Sequence, residues 1–237
     1  MSNVNFVKDF YHKNSLLVKE EVATTNSESL IEKMRAKGHR YYCIFDQLSN
    51  LNELSALELG FGSINSANAL ASVFKYYEAA DIAASSFVSE RDVNFKYLDV
   101  DLCNDFPYED ESFEVVIAMM IIEHLFDPFH SFQEIARVCK PGGYVFVNLP
   151  NITSIRCRFE LLTGRMPTTS RRDWFEKQQW DGGHLHYFDI YHVTKLAKLY
   201  GLRLEKIYPT GKFFEVKKLF PGLLCHEISY VFRRIIN

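Results

Sequence analysis

Between residues 55 and 149, short apolar segments alternate with segments of helical spacing. Ser55–Leu59 and Phe113–Met119 are nearly continuous apolar runs bounded by polar residues, the pattern of strands covered on both faces. Tyr76–Asp81, Asn94–Leu98 and Tyr144–Leu149 are three further strand-length segments. Ile64–Phe74, Ile82–Ser89 and Ser131–Cys139 read as the helices between them, and Pro141-Gly142-Gly143 stops the last one. Strands alternating with helices predict βαβ units and a parallel, doubly wound sheet.

The flanks are less regular. Residues 1–37 are polar and mixed in charge, with Leu16, Leu17, Leu30, Ile31 and Met34 spaced for short amphipathic helices, so residues 1–37 read as an N-terminal helical cap and 38–237 as the main domain. Tyr42, Phe45, Leu48 and Leu51 share one face of a helix over 39–51. Asp189–Tyr200 is a helix with Gly201 as its C-cap, Arg203–Tyr208 a strand, and the apolar-basic tail 213–236 predicts a last strand followed by a terminal helix. Residues 150–188 break the rhythm and read as an insertion.

Composition narrows the class. The 237 residues are 47% hydrophobic, which supports a full core, and the net charge of −3 gives no global field for nucleic acid. Five cysteines without a CxxC pair argue against a disulfide framework or structural zinc and fit a cytoplasmic location. The longest apolar run, Val115–Ile122, is far short of the ~20 residues that span a bilayer, and the charged first twenty residues lead to the expectation of no signal peptide.

The chemistry gathers on Glu58-Leu-Gly-Phe-Gly62, which follows a strand and precedes a helix. Glycines there let the backbone turn tightly and approach a ligand, and a helix N-terminus offers unpaired N–H groups. The dinucleotide pattern G-x-G-x-x-G would want glycine where Asn65 stands, which disfavours an NAD-binding oxidoreductase. A carboxylate at position 58, buried at a strand end, needs a partner such as an amino-acid ammonium. Asp81 ends the second strand, where an acid can accept ribose hydroxyls.

Residues 55–151 resemble the core of class I S-adenosylmethionine (SAM)-dependent methyltransferases of the small-molecule branch. The likeness rests on Ala56–Gly62, Ala79-Ala-Asp-Ile82, Phe106–Ile117 running into Ile122-Glu-His-Leu125, and Arg137-Val-Cys-Lys-Pro-Gly-Gly143. It implies a Rossmann-like α/β fold, a seven-stranded, mostly parallel sheet with helices on both faces. It also implies that Glu58, Gly60, Phe61 and Gly62 hold the methionine part of SAM, Asp81 the ribose with Ile82 against the adenine, Asp101 and Leu102 the adenine, and that Met119 lies beside the methionyl group. Ile64 departs from the family, which often has a third glycine there; this keeps open a non-catalytic, methyltransferase-like partner subunit.

The acceptor side is read from the insertion and the histidines. The motif that amine-methylating DNA enzymes carry after the fourth strand is replaced by Met119–His124, so no nucleic-acid substrate is expected. His124 and His186 are candidate bases, since imidazole titrates near neutral pH. Adjacent Glu123 and His124 alone make poor metal geometry, and no metal is expected. Residues 151–188 hold six basic against four acidic residues and both tryptophans. Their departure from the carboxyl end of a strand predicts a lid over the substrate, with Arg171, Arg172, Trp174, Trp180, His184 and Tyr187 contacting a small polar, anionic, sugar-like acceptor. Sequences with this layout resemble bacterial enzymes that methylate sugars or cell-envelope glycan precursors.

Overall fold

A computed structural model describes residues 27–82, 84–87, 93–170 and 180–236. Helices α1 (Ser27–Arg35) and α2 (Tyr42–Gln47) lead into β1 (Ser55–Leu59), α3 (Ile64–Ala71), β2 (Tyr76–Asp81), α4 (Ala84–Phe87) and β3 (Lys96–Asp99). Then come β4 (Phe113–Met119), α5 (Pro128–Val138), β5 (Cys139–Pro150), α6 (Ile155–Leu162), α7 (Ile190–Leu199), β6 (Leu202–Pro209), α8 (Phe214–Leu219), α9 (Pro221–Leu224) and β7 (Glu227–Arg234).

The strands form one seven-stranded sheet in the order β3-β2-β1-β4-β5-β7-β6. The pairs among β1 to β5 are parallel, and β7 joins β5 and β6 antiparallel. The expected Rossmann-like architecture is therefore present. Strand order reverses between β1 and β4, so a crevice opens beyond their carboxyl ends, where doubly wound sheets bind ligands.

The period-2 alternation of strand side chains sorts the core onto two faces. Leu57, Leu59, Val116, Ala118, Val145, Val147 and Phe232 pack on one face with Phe132 and Ile135 of α5. Ala56, Val115, Ile117, Met119, Phe146 and Val231 pack on the other with Ile44 of α2 and Leu70 of α3. Met34 of α1 is fully buried in this second cluster, so the described end of the N-terminal segment packs into the main core. Asp127 caps α5 by accepting from the Phe129 and His130 amides, with Pro128 at the first turn.

Two predictions of element order are corrected. The tail places its short helices α8 and α9 before β7, not after it, because β7 fills the slot between β5 and β6 with its core positions 228–232. The strand Tyr144–Leu149 extends back to Cys139, and Gly142 and Gly143 lie inside it; Gly143 is hemmed in by the Glu114 and Lys140 carbonyls, which an added Cβ would meet at 2.8 Å. Among the described residues, no helix is long and apolar enough to cross a membrane.

Candidate active site

A cavity of about 380 Å³ opens at the carboxyl ends of β1 to β4. Each parallel strand delivers its next residues to it: Gly60 and Gly62 after β1, Asp81 and Ile82 at β2, Asp101 and Leu102 after β3, Met120 and Ile121 after β4. The turn at 124–126 and Gly183 with Leu185 of the insertion complete the wall. Six of the nine residues expected to hold a cofactor line this cavity: Gly60, Gly62, Asp81, Ile82, Asp101 and Leu102.

The glycine turn has a backbone reason. Gly60 and Gly62 both have positive φ, +68° and +51°. An added Cβ at Gly60 would lie 2.5 Å from Ile121 Cγ1, whereas at Gly62 the nearest atom is the Gly60 carbonyl oxygen at 4.0 Å. The Gly60 amide donates to the Ala80 carbonyl at 2.7 Å, which locks the turn to the end of β2. Ile64, the departure from the family pattern, starts α3 and packs against the second core cluster. It is not part of the cavity wall.

Three expected cofactor residues lie beneath the cavity. Glu58 is 1% exposed and accepts from the Tyr41 hydroxyl at 2.6 Å and from the Tyr77 hydroxyl. Its partners are thus two phenols; burial nevertheless pushes its carboxyl up to about 7, against the pull of both hydroxyls. Phe61 is buried and packs edge-on to Phe95. Met119 closes β4 on the face opposite Ala118 and is buried in the second core cluster. Met120 takes the cavity position instead: its left-handed backbone, φ +58°, turns the chain away from the strand, and its amide donates to the Asn148 carbonyl at 2.9 Å. Asp101 and Asp99 also separate. Asp99 accepts from the Ser85 amide at 2.7 Å, while Asp101 reaches the cavity and accepts from the Cys103 amide.

On the acceptor side, His124 lines the cavity with Nδ1 held 3.1 Å from the Gly183 carbonyl. Burial, reinforced by the neighbouring His184 ring, pushes it down to about 4, so the imidazole is neutral at pH 7. His186 lies off the cavity, with Nε2 3.2 Å from the Phe126 carbonyl. His184 is buried behind the wall and bonds Thr169 Oγ1 through Nδ1 at 2.7 Å. Trp180 and Tyr187 are exposed and do not line the cavity. Arg171, Arg172 and Trp174 lie outside the described residues. The insertion reaches the cavity through Gly183 and Leu185. The fold of 180–183 explains it: Asp181, Gly182 and Gly183 all have positive φ, and the Asp181 carboxylate accepts from the Thr169 and Ser170 amides. Sequence reasoning missed Met120, Ile121, Phe126 and Leu185; the strand-end position of the first two was the available signal.

Comparison with known proteins fits this geometry. Residues 57–147 match the model of a family described as a methyltransferase domain. That match covers the segment from β1 to β5 that builds the cavity. Among solved structures, a chain of the Haloferax volcanii complex between the Trm112 methyltransferase activator and a methyltransferase aligns with TM-score 0.59 at 15% identity, over 89% of this chain and 94% of that one. A SAM-dependent methyltransferase from Mesorhizobium loti aligns with TM-score 0.60 at 14% identity, over 82% and 97%. One from Aquifex aeolicus aligns with TM-score 0.57 at 14% identity, over 90% and 100%. Likeness at such identity speaks for the fold. No curated protein matches the chain significantly by sequence.

The residues lining the cavity fit S-adenosylmethionine, the cofactor that the sequence resemblance implies. Two glycines whose Cβ-free backbone borders the cavity, carboxylates at the ends of β2 and β3, and the apolar Ile82, Val100 and Leu102 beside them match a ligand with an amino-acid end, a ribose and a flat base.

Proposed function

We propose that this protein transfers the methyl group of SAM to a hydroxyl (or amine) of a small polar acceptor, an anionic, sugar-like molecule or glycan precursor. One observation carries the reading: a single cavity joins the glycine turn and strand-end carboxylates on one side to His124 and the insertion on the other. Gly60 and Gly62 would admit the methionine part, Asp81 would accept the ribose hydroxyls, and Asp101 with Ile82 and Leu102 would hold the adenine. Glu58 would act from beneath, as a buried acceptor that fixes Tyr41 and Tyr77 under the turn.

When bound, SAM supplies an electrophilic sulfonium methyl. What the chain's residues contribute is alignment, which is worth up to about 7–11 kcal/mol in well-oriented reactions. His124 stands on the acceptor side as a neutral imidazole that can receive a hydrogen bond from an incoming hydroxyl. Leu185, Leu125 and Phe126 give that end apolar walls. The anionic acceptor is supported by the excess of basic over acidic residues in 151–188, six against four, in the insertion that reaches the cavity at Gly183 and Leu185.

The test is thermal unfolding with SAM, its demethylated product and NAD, followed by a methyl-transfer screen that starts with phosphorylated and nucleotide-linked sugars. Stabilisation by about 2.7 kcal/mol is expected at one hundred times the dissociation constant of SAM or its product. Stabilisation by NAD alone would refute the cofactor assignment. Transfer only to uncharged, non-sugar acceptors would refute the acceptor class.

A further inference from the structure

Behind the acceptor wall of the cavity lies a buried cluster that hydrogen bonding does not account for. Glu123 follows β4 in a single helical turn over Ile122–His124 and is 0% exposed. Among the described residues neither of its carboxylate oxygens has a hydrogen-bond partner. Leaving such a group buried and unpartnered costs several kcal/mol, about 2–7 even for a neutral polar group, so a group of this kind calls for an explanation.

Its neighbours are two imidazoles. The His124 and His184 rings sit edge to face with centroids 4.8 Å apart. His184 Nε2 lies 4.0 Å from Glu123 Oε1, too far for a hydrogen bond. One ligand atom from each of Glu123, His124 and His184 falls within 4.8 Å of the others. Ligand atoms about 2.1 Å from a tetrahedral metal stand about 3.4 Å apart, so side-chain movements of under about 1 Å would close the set.

The surroundings are built in the same sense. Metal-bound histidines hold their other ring nitrogen on an oxygen, which fixes the tautomer and the ring plane. Both rings do so here through Nδ1: His124 on the Gly183 carbonyl at 3.1 Å, and His184 on Thr169 Oγ1 at 2.7 Å. Thr169 Oγ1 in turn donates to Asp181 Oδ2 at 2.9 Å, giving a carboxylate–hydroxyl–imidazole chain. The backbone has already brought the two halves together, since the Leu185 and His186 amides both approach the Glu123 carbonyl oxygen, at 2.8 and 3.2 Å.

We infer that Glu123, His124 and His184 bind a divalent first-row transition cation, zinc or a chemically similar ion, in the wall of the methyl-transfer cavity. Two imidazoles and one carboxylate suit such an ion better than magnesium or calcium, which take oxygen ligands. The cation neutralises the buried carboxylate and ties the turn after β4 to the 180–185 segment, the two parts of the chain that form the acceptor end of the cavity. In this arrangement His124 Nε2 is taken up by the cation, since Nδ1 is held on the Gly183 carbonyl, and the imidazole no longer receives a hydrogen bond from an incoming hydroxyl. The site does not depend on which acceptor is methylated.

The test uses the full chain, stripped with a chelator and titrated with zinc and with cobalt by calorimetry, alongside elemental analysis of the protein as purified. One equivalent should bind, and cobalt should give the visible spectrum of an N/O site without thiolate charge-transfer bands. Glu123→Gln and His184→Gln should each weaken binding more than about 100-fold, and Thr169→Val, which removes only the outer hydroxyl, by about 10–100-fold. His192→Asn, at an exposed histidine paired with Asp189, should leave binding unchanged. SAM binding, measured separately by calorimetry, should persist in Glu123→Gln, so a failed cofactor assignment cannot be mistaken for a failed metal site. No stoichiometric binding, thiolate bands in the cobalt spectrum, or undiminished binding by Glu123→Gln would overturn the inference; Glu123 would then be a buried neutral carboxyl.

Discussion

The two glycines after β1 differ in what a methyl group would meet, and that difference can be measured. Substituting alanine at either position imposes a left-handed backbone on a residue with a Cβ, at a cost of roughly 1–2 kcal/mol. At Gly62, φ +51°, nothing else is added, since the new Cβ has no neighbour nearer than 4.0 Å. At Gly60, φ +68°, the Cβ would lie 2.5, 2.7 and 2.9 Å from three carbons of Ile121. Those carbons belong to one side chain, so Ile121 must leave its rotamer or the turn must shift. Overpacking of this kind costs about 1–3 kcal/mol. Gly62→Ala should therefore lower unfolding free energy by about 1–2 kcal/mol and Gly60→Ala by about 2–5 kcal/mol. Because Ile121 also lines the cavity, Gly60→Ala should weaken SAM binding more than Gly62→Ala does. Urea denaturation of the two variants, with SAM calorimetry on each, measures both quantities. The cause is checked by a double-mutant cycle: in an Ile121→Ala background the Gly60→Ala step should become about 1–3 kcal/mol less costly, while Gly62→Ala should be unaffected. Equal costs at the two glycines, or no coupling between 60 and 121, would refute the steric reasoning.

Asp81→Asn should raise the SAM dissociation constant about 10- to 100-fold, the 1.5–3 kcal/mol of a hydrogen bond to a charged group, as read by calorimetry; unchanged affinity would remove Asp81 from the ribose site. Glu58 makes stability depend on pH. Its folded value near 7 lies above the ordinary 4.5, so its contribution is fully present below about 4.5 and is lost as pH rises through 7. The full loss is on the order of 3 kcal/mol at 1.36 kcal/mol per unit. Glu123, pushed up to about 8 by burial, acts in the same direction, and His124, pushed down to about 4, acts oppositely below its ordinary 6.5. The decisive measurement is thus the difference between Glu58→Gln and wild type in urea titrations at pH 5 and pH 8: the variant should lose less stability over that interval. An identical pH dependence would show that Glu58 is not the titrating group.

The sequence by itself determined the fold class, because parallel strands buried on both faces must be apolar along their length and helices between them must be amphipathic. Ser55–Leu59, Phe113–Met119 and the glycine turn carried that information locally, and six of the residues that the resemblance assigns to the cofactor line one cavity at the strand ends. Only the tertiary structure decided what each strand-end residue faces. A one-residue step reverses a side chain's direction, so the cavity received Met120 in place of Met119, while the expected Asp101 lines it. Glu58 was legible as a buried acid, but its partners Tyr41 and Tyr77 come from α2's approach and from β2, positions 17 and 19 residues away in sequence. The histidines show the same limit more sharply. Glu123 and His124 are neighbours in sequence and insufficient as a pair, while His184 lies some sixty residues on, and no local pattern relates them. The left-handed run at 181–183 and the docking of Leu185 on the Glu123 carbonyl bring it there. Periodicity reports which face of an element is buried; it carries no record of which distant element will cover that face, and sites assembled by such coverings become visible only in three dimensions.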